Sequence, residues 1–326
     1  MIALVTGATG FIGSHLAESL LEKGIRVRAL VRKTSSLRWL KGLSVEFVEG
    51  DVADRASIRG ALAGTDYVFH LAGTIQALSK KEFYDINVEG TRHLLDAVVE
   101  NKAHLKKFVL VSSQAAGGPS EGEKPVGEED PPHPVSHYGE SKLAAEKLTL
   151  QFAKELPLVV LRPPTIYGPR ETRVYQAFQM MKKGIGLAVG RRHKFISVCY
   201  VGDLVKAILM AAFQSRPSGR VYNVAGEKPY EWVEFLNAMS HAMKHRYRLF
   251  RIPVPLLYLL GAGGELYSRL SRHSSLFTWQ KVKEFVQHSW VIDGTKIRQE
   301  LGWHEKTSLQ EGMIKTTVWY RRAGWL

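Results

Sequence analysis

The first half of the chain alternates short apolar runs with helix-forming stretches, and this alternation limits the possible folds more than any other feature. The apolar runs lie at 2–6, 26–31, 45–50, 66–73, 107–113 and 158–164. Helical patterns separate them, among them 14–22, 87–99 and 138–154. Strands that alternate with helices form right-handed βαβ units, so the strands run parallel. The sequence therefore predicts an α/β fold with a doubly wound parallel sheet, in which ligands bind at the carboxyl ends of the strands.

The rhythm becomes irregular after Gly168, which predicts a second, smaller domain. Residues 195–213 have the pattern of a strand, a turn and a helix, and 220–226 the pattern of one more strand. The region 230–284 is predicted to be mainly helical. We therefore expect a first domain of 1–168 together with about 195–225. A discontinuous, mainly helical C-terminal substrate domain would take about 169–194 and 226–326.

Composition places the chain among ordinary globular proteins. Of its 326 residues, 45% are hydrophobic and 23% are charged. A single cysteine, Cys199, excludes an internal disulfide framework and a multi-thiolate metal site, which suits a reducing compartment. The first apolar run is too short for a signal peptide, and none reaches the roughly 18 residues of a membrane span. We therefore expect a cytoplasmic protein without a metal site.

The charge balance favours anionic partners. Lys and Arg number 45 against 31 Asp and Glu, which gives a formal net charge of +14. Such a charge attracts phosphorylated cofactors, nucleic acid or an acidic membrane surface. The basic clusters at 182–183, 191–194 and 321–322 are not interleaved with aromatic residues as in nucleic-acid modules. No nucleic-acid partner is therefore expected.

The loop TGATGFIG joins the first predicted strand to the first predicted helix. Gly7, Gly10 and Gly13 would let backbone N–H groups approach a pyrophosphate closely, and the helix adds the partial positive charge of its N-terminus. Three glycines in this strand-to-helix context predict a dinucleotide-binding fold of the Rossmann type.

The end of the second predicted strand indicates which dinucleotide is bound. An acidic residue at this point would bind the ribose 2′-hydroxyl of NAD. The chain instead has Val31 followed by Arg32 and Lys33. An arginine there would pair with a 2′-phosphate and stack on adenine. NADP is therefore favoured as the cofactor, with NAD as the alternative.

The segment YGESK carries the chemistry. Tyr138 and Lys142 are four residues apart, so on a helix the phenol and the ammonium group share one face. A neighbouring cation is expected to lower the pKa of the tyrosine from about 10 and make it a general acid and base for an alcohol–ketone interconversion. Ser113, at the end of the fifth predicted strand, would place a hydroxyl at the same edge to bind the substrate oxygen.

Together with LRPPTIYGP (161–169) and the segment 291–320, these motifs resemble the extended branch of the short-chain dehydrogenases/reductases, the NAD-dependent epimerase/dehydratase type. The resemblance spans nearly the whole chain. It implies that Tyr138 transfers the proton, that Lys142 also binds the nicotinamide ribose and that Ser113 polarises the carbonyl. It further implies a homodimer, and cofactor contacts by Thr9, Phe11, Ile12, Asp51, Val52, Leu71, Ala72, Gly73, Asn87, Ser112, Pro164 and Thr165.

Three functions remain open from the sequence. Most extended members act on nucleotide sugars, but here Thr165 and Ile196 replace the usual Asn and Arg, and Gln114-Ala115 cannot supply the acid pair of a dehydratase. An NAD(P)-dependent oxidoreductase acting on an apolar hydroxy or keto compound, like the 3β-hydroxysteroid dehydrogenase or dihydroflavonol reductase members, is therefore favoured. A nucleotide-sugar epimerase or dehydratase is the first alternative. A non-catalytic NADP-binding regulator is the second, although an intact catalytic set argues against it.

The most apolar stretch, PVPLLYLLGAGGEL (253–266), permits three interpretations. It could be an ordinary buried helix of the small domain, the lining of a pocket for a hydrophobic substrate, or a surface that rests on a membrane. Arg269 and Arg272 follow it and would favour a weak association with anionic lipid.

Overall fold

The structure is a computed structural model that describes residues 1–271 and 278–326. The strands are β1 (Ile2–Thr6), β2 (Arg26–Val31), β3 (Val45–Glu49), β4 (Tyr67–His70), β5 (Lys107–Val111), β6 (Leu158–Arg162), β7 (Thr165–Tyr167), β8 (Ile185–Val189), β9 (Phe195–Ile196), β10 (Val198–Tyr200), β11 (Arg220–Asn223), β12 (Tyr230–Glu231) and β13 (Arg248–Ile252). The helices are α1 (Phe11–Glu22), α2 (Arg55–Ile58), α3 (Lys80–Tyr84), α4 (Gly90–Glu100), α5 (Gln114–Gly117), α6 (His137–Gln151), α7 (Arg173–Lys182), α8 (Val201–Phe213), α9 (Trp232–Met243), α10 (Val254–Ser271), α11 (Trp279–Phe285), α12 (Thr295–Leu301) and α13 (Leu309–Arg322).

A parallel sheet of seven strands, in the order β11-β6-β5-β4-β1-β2-β3, forms the centre of the molecule. The strand order reverses between β1 and β4, and a crevice opens at the carboxyl ends of strands at such a switch point. The seventh strand, β11, comes from far along the chain and pairs with β6. The predicted doubly wound α/β fold is confirmed.

Residues of β1 show how both faces of the sheet are buried. Ala3 and Val5 pack in a cluster with side chains of α1, α8 and α12. Leu4, pointing the other way, packs in a second cluster with side chains of α2, α4 and α6. A strand covered on both faces is apolar throughout, which is why its sequence, IALVT, lacks alternation.

The C-terminal part contains more strand than the sequence predicted. Within the region 230–284, expected to be mainly helical, β13 pairs in parallel with β8 and β12 pairs with β9. The five residues of β13 are too few for their pattern to distinguish a strand from a helix. The partner strand, β8, lies about 60 residues earlier in the chain, so the sequence gives no local sign of the pairing. Helices α7, α9 and α13 enclose a third apolar cluster here. The expected division into two domains stays a prediction.

All of the apolar stretch 253–266 except Pro253 lies within α10, which is not a buried core helix. Leu257 is 1% exposed, whereas Leu259 is 71% exposed. No helix among the described residues is long and apolar enough to cross a membrane. Arg272, and the side chain of Arg269, lie outside the described part of the chain.

Candidate active site

The glycine loop leaves β1 and enters α1 at the crevice. Gly7 has a φ of +72°, and a Cβ on this residue would lie 2.7 Å from the backbone nitrogen of Ala72. A Cβ on Gly13 would lie 2.2 Å from the carbonyl oxygen of Gly7. Gly10 is the N-cap of α1 and provides no side-chain cap, so the first N–H groups of the helix are available to an anion.

A chain of hydrogen bonds fixes the loop to β4. The N–H of Ala72 donates to Thr6 Oγ1 at 3.2 Å, and Thr6 Oγ1 lies 2.7 Å from Nδ1 of His70. On the other side of the ring, Nε2 of His70 lies 2.9 Å from Thr91 Oγ1, which donates to the carbonyl of Asn87. Because the Thr91 proton is used, His70 donates through Nε2 and accepts at Nδ1. Burial lowers the pKa of His70 to about 3, so the ring is neutral.

Asn87 continues this chain to α6. It lies in a π-helical turn, Asp85–Glu89, that precedes α4. Its Nδ2 donates to the carbonyl of Thr74 at 3.0 Å and to Ser141 Oγ at 2.9 Å. Ser141 Oγ in turn donates to the carbonyl of Tyr138 at 2.8 Å. The side chain of Asn87 thereby ties the backbone of the YGESK turn to the wall of the crevice.

Ser113 and Tyr138 meet because α5 packs very closely against α6. Ser113 is the N-cap of α5, accepting from the N–H of Ala115 at 3.2 Å, and its hydroxyl is close enough to the phenol of Tyr138 to lower the pKa of that group. A Cβ on Gly139 would lie 2.4 Å from the carbonyl oxygen of Ala115. Only a glycine permits this approach, so the motif depends on its Gly as well as on its Tyr and Lys.

Lys142 lies one turn further along α6 and is buried. Its Nζ donates to the carbonyl of Val111, at the end of β5, at 3.0 Å. Burial lowers the pKa of Lys142 to about 8, and the negative charge of Glu146 opposes this shift. Glu146 is itself ion-paired with Arg162 of β6, with 2.7 Å between Nη2 and Oε2. This buried pair fastens α6 to the sheet beneath the site.

The pKa of Tyr138 differs from the expectation based on the sequence. The pKa of the phenol is raised to about 12, mainly because the side chain is buried. Glu284 raises this pKa further, whereas Ser113 and Arg173 oppose the shift. The expected lowering by Lys142 is not observed, because that ammonium group is directed at the carbonyl of Val111. The phenol is therefore protonated at neutral pH, which is the form that donates a proton.

A cavity of about 780 Å³ opens at this edge of the sheet. Part of its wall consists of predicted cofactor and catalytic residues: Gly7, Gly10, Phe11, Ile12, Gly13, Leu71, Gly73, Asn87, Ser112, Ser113, Tyr138, Lys142, Pro164 and Thr165. Another part consists of apolar side chains from the C-terminal elements: Leu187, Val189, Trp232, Ile252, Leu257, Phe285 and Trp290. One cavity therefore joins the predicted catalytic residues to a broad apolar surface.

Other predicted cofactor residues lie outside the lining of this cavity, namely Thr9, Arg32, Lys33, Asp51, Val52 and Ala72. Arg32 is exposed directly after β2, and Lys33 Nζ lies 3.3 Å from Oε1 of the exposed Glu49. Val52 is buried against Gly90. Their expected contacts with the cofactor stay predictions.

The residues at the crevice fit a dinucleotide. The Cβ positions of Gly7 and Gly13 are blocked by backbone, so the loop keeps its N–H groups open to a close approach by phosphate. Ser112 Oγ is buried beside Ser113, the predicted catalytic serine, and has no hydrogen-bond partner within residues 1–271 and 278–326. Such a hydroxyl suits a polar group of a bound ligand. Ser112, Lys142 and Thr165 would hold the nicotinamide end.

Fold and site together define the class of protein. A glycine-rich loop at the switch point of a Rossmann-type sheet shares one cavity with Ser113, Tyr138 and Lys142. This combination is typical of an NAD(P)-dependent dehydrogenase/reductase of the short-chain type. The model of the NAD dependent epimerase/dehydratase family matches residues 3–225. The chain belongs to this family.

Similar proteins differ in what they are named for. A ceramide reductase of Caulobacter vibrioides is 30% identical over 100% of this chain and 96% of its own length. Sterol demethylase protein B of Methylococcus capsulatus is 29% identical over 99% of each chain. Among solved structures, the UDP-glucose 4-epimerase of Thermotoga maritima with UDP-glucose has a TM-score of 0.81, 25% identity and 99% coverage of both chains. The Thermus thermophilus UDP-glucose 4-epimerase with NAD has a TM-score of 0.80, 25% identity and coverage of 99% of this chain and 100% of its own.

Several residues that build the site were not predicted from the sequence. Gly139 and Ser141 lie inside YGESK, yet only Tyr138 and Lys142 were given roles. The sequence did contain a signal for them, because two small residues in this short segment permit a close approach at Gly139 and a hydrogen bond from Ser141 to the carbonyl of Tyr138. Arg173, which lines the cavity and lowers the pKa of Tyr138, had no recognisable signal. Its position depends on how α7 folds back over the sheet.

Replacing Gly139 with Ala should lower kcat/KM by about 10- to 100-fold, because a displacement near 1 Å in a catalytic group has effects of this size. The new Cβ would collide with a backbone oxygen, which cannot rotate away, and α6 would shift with Tyr138. Steady-state kinetics measure the effect. Gly60→Ala is the matched control, since nothing lies within 4 Å of its Cβ position. Unchanged kcat/KM in Gly139→Ala would show that the close contact does not position Tyr138.

Proposed function

We propose that the protein interconverts a hydroxyl and a ketone on a small apolar, sterol- or other lipid-like substrate, with NADP as the favoured cofactor. The proposal rests on one observation: Ser113, Tyr138 and Lys142 line the same cavity as the apolar wall. A bound nicotinamide would supply or accept the hydride. Tyr138, protonated at neutral pH, donates the proton to the substrate oxygen in the direction of reduction. Ser113 stabilises the charge that develops on that oxygen.

Two lysines that line the cavity near its apolar wall are already engaged, which favours this substrate class over a nucleotide sugar; Arg173, which also lines the cavity, is a cation that a diphosphate could still use. A sugar nucleotide brings a diphosphate, which needs free cations. Nζ of Lys194 already donates to the carbonyls of Phe285 and Gln287, at 2.7 and 2.5 Å. Lys281 is paired with Glu284 at 2.6 Å. Burial also lowers the pKa of Lys194 to about 8, which weakens it further as an anion site.

A substrate screen tests the proposal directly. The purified protein is mixed with NADPH and a panel of apolar ketones, and the loss of NADPH absorbance is followed. We expect turnover with lipid-like ketones and none with UDP-glucose. Conversion of UDP-glucose without net consumption of cofactor would favour the epimerase alternative. Tight NADPH binding with no turnover on either class would favour the non-catalytic regulator.

Replacing Arg32 with Asp should reverse the cofactor preference. Loss of a charge-assisted pair with the 2′-phosphate should raise KM for NADPH about tenfold or more and leave KM for NADH equal or lower. Arg26→Asp is the matched control, because Arg26 is exposed at the opposite end of β2. Initial rates with both cofactors measure the effect. If wild-type protein prefers NADH, the assignment of NADP is wrong.

The exposed side of α10 supports weak association with an anionic membrane. Leu256, Leu259, Leu260 and Tyr267 follow one face of the helix and are 46%, 71%, 48% and 61% exposed. Leu257 of the same helix lines the cavity, and Arg191, Arg192 and Arg251 are exposed near its N-terminal end, where Nη1 of Arg251 contacts the carbonyl of Gly190. An apolar stripe beside basic residues suits the interface of an anionic bilayer.

Vesicle sedimentation should show this association. We expect more binding to phosphatidylglycerol vesicles than to phosphatidylcholine vesicles, and less at high salt. Replacing Leu256, Leu259 and Leu260 with Ser should reduce partitioning at least about tenfold, given about 0.8 kcal/mol per buried CH₂. Ile314→Ser, at an exposed apolar position on α13, is the control. Equal loss in the control, or no vesicle binding, contradicts the proposal. Light scattering tests separately for the expected homodimer. Comparison of the wild type with the same triple variant shows whether α10 forms the dimer interface.

A further inference from the structure

Gln114 is a buried polar side chain to which the proposed chemistry gives no role. It is 8% exposed and lines the cavity beside Ser113. Its Oε1 has no hydrogen-bond partner in the part of the chain that the structure describes. Buried side-chain amides are nearly always hydrogen-bonded, because an unpaired one loses its hydration without compensation. A carboxamide in this position is therefore suited to a ligand group.

The backbone holds Gln114 in a fixed place. It is the first residue of α5, and its N–H donates to the carbonyl of Pro163 at 2.9 Å. Its own carbonyl accepts from the N–H of Gly118 at 3.1 Å. Because both main-chain groups are bound, the carboxamide starts from a rigid point next to the serine that binds the substrate oxygen. Adjacent Cα atoms are about 3.8 Å apart, so the reach of Gln114 covers atoms close to the reacting carbon.

We infer that the carboxamide of Gln114 hydrogen-bonds a polar substituent on a carbon next to the reacting carbonyl, and that the natural substrate carries a hydroxyl or a secondary amide there. This inference rests on the proposed function. A carboxamide offers one acceptor and two donor hydrogens, so it matches the N–H or C=O of an amide and the O–H of an alcohol. A ketone with only hydrocarbon at that carbon leaves Gln114 unpaired.

A hydrogen bond to Gln114 would also discriminate between substrate types within the apolar class. The apolar wall of the cavity accepts long hydrocarbon of any kind, and hydrophobic pockets discriminate only weakly between similar shapes. A site built to hydrogen-bond a substrate group rejects the analogue that lacks this group much more strongly. Gln114 would therefore favour a 2-acylamino or 2-hydroxy ketone of lipid type over an unsubstituted ketone of equal length.

Two synthetic ketones of equal chain length test the inference: one carries a 2-acetamido group, and the other carries hydrogen at that carbon. Both are assayed with NADPH and the full-length protein, as wild type, Gln114→Leu and the surface control Gln310→Leu. In wild type we expect kcat/KM to favour the amide at least about tenfold. In Gln114→Leu we expect a loss of about 10- to 100-fold on the amide and a change within about threefold on the plain ketone.

The possible outcomes distinguish a failure of the role inferred for Gln114 from a failure of the proposed function. Equal losses of Gln114→Leu on both ketones, with unchanged affinity for NADPH, would overturn the role in recognition and leave the proposed function standing. Retention of full activity on the amide would overturn it in the same way. No NADPH consumption by wild type with either ketone would overturn the proposed function, and the inference with it. A selective loss on the amide, absent in Gln310→Leu, would establish the pairing.

Discussion

Tyr138→Phe should lower kcat by about a thousandfold or more while the affinity for NADPH stays the same, because removal of a general acid costs about 10²–10⁴-fold. The substitution deletes one oxygen and keeps the ring, which packs near Phe83 and lies 5.7 Å from Nζ of Lys281. Folding should therefore be unaffected. The effect falls on proton transfer to the substrate oxygen, because Tyr138 is the one tyrosine among the described residues that line the cavity.

Two measurements separate this effect from a general loss. Isothermal titration with NADPH should give the same dissociation constant for wild type and Tyr138→Phe. Tyr247→Phe removes the hydroxyl of a tyrosine that bonds Asn237 at an exposed position, and should keep full activity. If Tyr138→Phe retains more than about a tenth of the wild-type rate, another group supplies the proton and the catalytic assignment is wrong.

Gly13→Ala should weaken dinucleotide binding by at least about 100-fold, or roughly 2.7 kcal/mol, because the pyrophosphate is held by backbone N–H groups of the loop. The added Cβ would lie 2.2 Å from the carbonyl oxygen of Gly7 and 2.8 Å from Cα of Ala8. Both neighbours are backbone atoms, so no side chain can rotate to relieve the collision. The loop must open, and the N–H groups then no longer converge on one point.

The control for this variant is Gly60→Ala, in which the new methyl group meets nothing within 4 Å. Titration of both variants with NADPH and NADH measures the affinities, and circular dichroism establishes that each is folded. We expect Gly60→Ala to bind like wild type. Folded Gly13→Ala with undiminished affinity for both nucleotides would contradict the assignment of the loop as the pyrophosphate site.

The elements of the sheet were predictable because each follows from local patterning. The first six predicted strands correspond to β1–β6, with most ends identical and every end within three residues. Their apolar runs are continuous because helices cover both faces of the sheet. The glycine loop was predictable for a related reason. A turn of this tightness between a strand and a helix needs glycines at fixed spacing, so the constraint is written in adjacent residues.

The apolar wall of the cavity could not be predicted in this way. Ile252 belongs to β13, whose pairing with β8 joins segments about 60 residues apart, and Leu257 lies on a helix whose other face is exposed. Which side chains of these elements face the predicted catalytic residues depends on how the C-terminal part folds against the sheet. The position of Gln114 shows the same limit, since the sequence excluded an acid at that point and could not show that its amide would be buried.

The sequence by itself determined the class of fold, and it predicted the dinucleotide loop and the Ser, Tyr and Lys set, because these depend on periodicity and on short spacings along the chain. Only the tertiary structure decided the state of that set. Close packing of α5 against Gly139 brings Ser113 to Tyr138, and burial raises the pKa of the phenol to about 12. The carbonyl of Val111 binds the ammonium group of Lys142. Burial and hydrogen-bond geometry arise from contacts between distant segments, and these set the pKa values.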